Sequence, residues 1–73
     1  MTIHDAKTLV VGSTVHHVTK KNKDGTPMRA KVLSVKTWKR SPDRVLVSLK
    51  HGLRDYAKFD EHEVYQIRKG DGL

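Results

Sequence analysis

Arg29-Ala-Lys-Val-Leu-Ser-Val-Lys-Thr-Trp38, Lys39-Arg-Ser-Pro-Asp43 and Arg44-Val-Leu-Val-Ser-Leu-Lys50 follow one another without a break, and their reading decides the fold. Two runs rich in Val, Leu and Thr flank a short segment carrying Ser, Pro and Asp, the pattern of two antiparallel strands and their turn. In the second run Val45, Val47 and Leu49 share one face and Arg44, Ser48 and Lys50 the other, with Leu46 the exception. The first run is long, about residues 28 to 38, and its apolar phase slips. Ala30 and Val32 share one face, then Leu33 and Val35 the other, so a bulge or strong bend is expected near Leu33.

Outward from this hairpin the remaining elements are short. Val15 to Thr19 reads as a first strand, and Lys20 to Pro27 as a polar loop turning at Asp24-Gly25. His51-Gly52 suits a two-residue hairpin loop leading into a strand from Leu53 to Phe59. Asp60-Glu61-His62-Glu63 suits one tight helical turn, and Val64 to Arg68 a short last strand. Thr2 followed by Asp5 three residues later is a weak helix start. It predicts at most one turn docking Leu9 and Val10, with Gly12 ending it. Residues 69 to 73 read as a frayed tail and residues 1 to 11 as an arm, around a single domain with its core at about 12 to 68. Val32, Val45, Val47, Leu49, Val64 and Ile67 are the expected buried set.

Seventy-three residues lie near the lower limit for a self-sufficient core, and the absence of cysteine leaves that core without disulfides. No apolar stretch approaches the roughly 20 residues that span a bilayer, so no membrane partner is expected and the location predicted is cytoplasmic. No long apolar face remains once a core is filled, so a monomer is expected. The net charge of +7 is unevenly spread. Residues 20 to 50 carry ten basic and two acidic residues, whereas the segments on either side are close to neutral. A one-sided positive field attracts polyanions, and a solubilising role of the same lysines and arginines is the competing account.

Five short strands, a polar loop after the first, hairpins through the fourth and a helical turn before the fifth make this an all-β chain. In that order it resembles the five-stranded SH3-like small barrels of the Tudor and KOW kind, over roughly residues 12 to 68. Phe59-Asp-Glu-His-Glu-Val-Tyr-Gln-Ile67 is similar to the strand, turn and strand that end such domains. The acidic first loop and paired Trp of signalling SH3 domains are absent, and four aromatics are scarcely enough for a methyl-lysine cage. The likeness in charge is to KOW-like and ribosomal barrels. Type II dihydrofolate reductases share this fold and size but use a Val-Gln-Ile-Tyr run, where this chain has Tyr65-Gln66-Ile67. No enzyme activity is expected.

The residues expected to bind nucleic acid, or else an acidic protein surface, are Lys20, Lys21, Lys23, Lys36, Trp38, Lys39, Arg40, Arg44 and Tyr56. Their cations would hold phosphates while Trp38 or Tyr56 stacks on a base. Trp38 has two readings: inward, closing one end of a barrel, or exposed among Lys36, Lys39 and Arg40. The alternative partner is a protein, docking on the basic face or adding a peptide strand at a sheet edge. Adjacent His16 and His17 point to opposite faces of a strand, and His51 and His62 have no partner at metal-binding spacing, so neither metal nor cofactor is expected. Asp60, Glu61 and Glu63 read as acids of a solvated helical turn.

Overall fold

The computed structural model describes residues 1 to 72 and is mostly β, with five antiparallel strands in one sheet and little helix. The strands are β1 (Thr14–Lys21), β2 (Pro27–Trp38), β3 (Ser41–His51), β4 (Asp55–Asp60) and β5 (Ile67–Lys69), in the spatial order β4-β3-β2-β1-β5. A short helix α1 (Ile3–Lys7) precedes them, and a 3₁₀ turn (Val64–Gln66) leads into β5.

The register shows how alternation in sequence becomes two faces. Partners directly across a ladder share a face. On the inner face Val32, Leu49 and Ala57 form one row, and Val35, Val47 and Phe59 the next. Val15 lies opposite Ala30. Val32, Val45, Val47, Leu49, Val64 and Ile67 are all buried, as the alternation predicts, together with Val15, Ala30, Phe59 and Ala6. The sheet curls around this core. His17 on β1 reaches Phe59 on β4, two strands beyond its neighbour β2, with ring centroids 5.6 Å apart.

The phase slip in β2 is a bulge. Val32 faces Leu49 and Ser34 faces Ser48, so Leu33 is one residue too many and stands outside the ladder, 41% exposed. The extra residue returns Val35 to the inner face opposite Val47.

Several expectations need correction. The β2–β3 turn is Lys39-Arg40 alone, not Lys39 to Asp43, and β3 begins at Ser41. Thr37 pairs with Val45 and Trp38 with Ser41, so Pro42, Asp43 and Arg44 bulge out without partners on β2. Proline is tolerated there because no ladder bond asks for its missing N–H. Lys7 of α1 donates to the Pro42 carbonyl and fixes the bulge from below.

His51 is the last residue of β3, facing Asp55, so the next loop is Gly52-Leu53-Arg54 rather than His51-Gly52. Gly52 alone takes the left-handed backbone there, at φ +66°. Val64 begins the 3₁₀ turn instead of a strand, because Asp60 and Glu63 already close the preceding turn. Asp60 accepts from the His62 N–H, and Glu63 from the Asp60 N–H.

Both chain ends make contacts of their own, and Leu73, the last residue of the expected tail, lies outside the described residues. Ala6 is fully buried, Met1, Ile3 and Leu9 pack on the core, and Val10 is 69% exposed instead of docked. The Met1 amine donates to the carbonyls of Val64 and Ile67. Beyond Lys69 the Gly70 N–H donates to the Thr14 carbonyl, and Gly72 lies against the His16 ring and Pro27 so closely that a Cβ would come within 2.9 Å of both.

Candidate nucleic-acid interface

The expected binding residues fall in three places. Lys20 and Lys21 end β1 and Lys23 sits in the β1–β2 turn, all exposed. That turn is tied by Asp24, which accepts from the Thr26 N–H and hydroxyl. Those two bonds hold the exposed Asp24 carboxyl below its usual range. Lys36, Trp38, Lys39, Arg40 and Arg44 gather at the opposite end of β2, the hairpin tip. Eleven residue steps of strand, about 36 Å, separate the two ends of β2 in a molecule 43 Å long, so the basic segment does not form one cluster.

Trp38 is half-buried at the tip and takes no part in the core. Its ring lies under the Arg44 guanidinium at 4.1 Å and near the Lys36 ammonium at 5.4 Å. The barrel-closing reading is therefore replaced by a cation–π stack on the hairpin. Arg44 is engaged twice, since its Nε also lies 3.5 Å from Glu61 Oε1. Lys39 and Arg40 project from the turn as exposed cations.

Tyr56 belongs to a third place, the outer face of the sheet. Here the register assembles what linear spacing concealed. Thr14, Lys31, Lys50 and Tyr56 form one row across β1, β2, β3 and β4. Arg68, His16 and Arg29 form a row on one side of it, and Ser34, Ser48 and Lys58 a row on the other. A groove of about 480 Å³ is lined by Thr14, Arg29, Lys31, Lys50, Gly52 and Asp71. Tyr56 is 61% exposed, and the Lys50 ammonium lies 5.7 Å from its ring.

Arg29, Lys31, Lys50, Lys58 and Arg68 were not among the expected binding residues. Their signal is the alternation itself, each being next to an inward residue: Ala30, Val32, Leu49, Phe59 and Ile67. Lys31 and Lys50 stand directly opposite one another, a like-charge pair that weakens the ladder.

The histidines divide as expected between faces, but His17 and His51 are partners rather than isolated side chains. His17, 3% exposed on the inner face, sets its Nε2 2.7 Å from Nε2 of His51. One nitrogen must donate and the other accept, so both rings cannot be charged in this geometry. Nδ1 of His51 is buried without a hydrogen-bond partner. Burial, then the neighbouring His51, Lys20 and His16, holds the His17 imidazole below its ordinary pKa. Among the described residues no three His, Cys, Asp or Glu gather closely enough to hold a metal ion. Compared with known proteins, the chain matches no protein-family model, no curated protein and no solved structure.

Proposed function

We propose that the chain is a non-enzymatic binding module for nucleic acid, built as an SH3-like small barrel of the KOW kind, with the outer face of its sheet as the main contact surface. The strand order, the long bent hairpin and the 3₁₀ turn before β5 support the barrel reading. The observation that carries the binding reading is the outer face. It combines Arg29, Lys31, Lys50, Lys58 and Arg68 with an exposed tyrosine, on rigid strands instead of mobile loops. Cations on a rigid face neutralise phosphates and release condensed counterions, which gives affinity without sequence preference. The hairpin tip, with Lys39 and Arg40, extends the same field.

The alternative is a protein partner, and the observation favouring it is the free edge of β4, which pairs only with β3. Asp55, Lys58 and Asp60 on that short strand discourage indiscriminate pairing. The basic face is the stronger feature.

Fluorescence anisotropy with labelled oligonucleotides tests the proposal. If about four phosphates are neutralised, affinity for a single strand should fall roughly 50-fold between 50 mM and 200 mM salt. Lys39→Glu with Arg40→Glu should weaken binding to all sequences alike, and Lys31→Glu with Lys50→Glu should weaken it further. Absence of binding to both single strand and duplex at low salt would sink the reading. The basic face would then belong to a protein partner.

A further inference from the structure

Resting on that reading, we infer that the row Thr14, Lys31, Lys50 and Tyr56 is a nucleotide subsite that selects single strands: a phosphate sits in the groove beside Lys31 and Lys50, and its unstacked base lies on Tyr56. Three independent observations converge on it. The first is register. Lys31, Lys50 and Tyr56 occupy successive strands of one row, so neighbours are about 4.8 Å apart and the lysine pair lies within one nucleotide's reach of the ring. The second is shape. The groove, about 480 Å³ and lined by Arg29 as well as the two lysines, accommodates a phosphate and its sugar.

The third is unfavourable energy left in the free protein. Lys31, exposed, and Lys50, half-buried, stand opposite one another across the ladder, a like-charge pair that weakens it. An anion between them removes the repulsion, so the pair costs stability in the free state and returns it as affinity. Tyr56 supplies what the lysines lack, since an exposed ring stacks on any base whose face is free. Duplex bases are already stacked on one another, which is why the row discriminates. Asp71 also lines the groove and sets an acid beside its cations.

The experiment compares a short oligothymidylate, a duplex of equal length and a polyglutamate peptide as ligands for the full chain, with variant folding checked by circular dichroism. Tyr56→Ala should weaken single-strand binding about 5- to 150-fold, the equivalent of one stacked base, and change duplex binding less than about twofold. Tyr56→Phe should restore it. Lys31→Thr should weaken both nucleic acids while raising the melting temperature of the free protein, a pairing of effects that a purely structural lysine would not give. If oligothymidylate binds but Tyr56→Ala leaves its affinity unchanged, the subsite is wrong and the broader proposal stands. If polyglutamate binds as tightly as oligothymidylate, the row is a charge surface without base recognition and the inference fails. If neither nucleic acid binds at low salt, the underlying proposal fails and the subsite with it.

Discussion

Leu49→Ala should remove about 2–5 kcal/mol of stability, enough to leave much of the protein unfolded under mild conditions. Leu49 is fully buried at the centre of the sheet, between Val32 on β2 and Ala57 on β4. Truncation loses the transfer energy of the deleted atoms and leaves a cavity that three hydrogen-bonded strands cannot collapse. At a typical 0.05–0.15 kcal/mol per residue, a chain of this length has only about 4–11 kcal/mol in total. Leu53→Ala supplies the control, because Leu53 is 87% exposed in the β3–β4 loop and should change stability by less than about 0.5 kcal/mol. Urea unfolding of the two variants checks the contrast. Equal midpoints would mean that the inner face is not the core.

Acidification should destabilise the protein through His17. Its imidazole is held below the ordinary value near 6.5 by burial first, then by the charge of His51, and by Lys20 and His16. The unfolded chain therefore binds this proton more readily than the folded one. The stabilisation is fully present above the unfolded value and is lost as pH falls from about 6.5 through the lowered folded value, with a slope no steeper than about 1.4 kcal/mol per pH unit. His17→Phe retains a ring against Phe59 and removes the titrating group. Unfolding followed between pH 7 and pH 5 should be steeply pH-dependent in the natural sequence and much flatter in His17→Phe. Parallel curves would assign the acid sensitivity elsewhere.

How far the sequence reached depended on whether a feature is local. The bulge at Leu33 was legible because a slipped apolar phase has few other remedies in a strand. The buried set was legible because Val45, Val47 and Leu49 alternate without interruption. The turn at the tip was mis-sized because Ser41-Pro42-Asp43 has turn chemistry, yet those residues lie in β3 beside a register shift that no propensity encodes. The site suffered more. Proximity along the chain united Lys20 with Arg40, which the length of β2 separates, and overlooked Lys50 beside Tyr56, which only the β3–β4 register reveals. His17 and His51 meet across an intervening strand, through a curl that belongs to the whole sheet.

The surplus residue in β2 bears on which changes of length the fold accepts. Removing Leu33 would leave Val32 opposite Leu49 and bring Ser34 directly after it, still opposite Ser48, so every side chain keeps its face and only the bend relaxes. β3 carries its surplus at Pro42, Asp43 and Arg44, before Val45, and has no such slack beyond it, since Leu46 through His51 each face a consecutive residue of β4. Deleting Leu46 would turn Val45 outward or force the rest of the strand to invert. A scan of single-residue deletions should accordingly find folded protein when Leu33 is removed and none when Leu46 is, although both are leucines on the same hairpin. Tolerance to shortening here follows the ladder's count of residues, not their hydrophobicity.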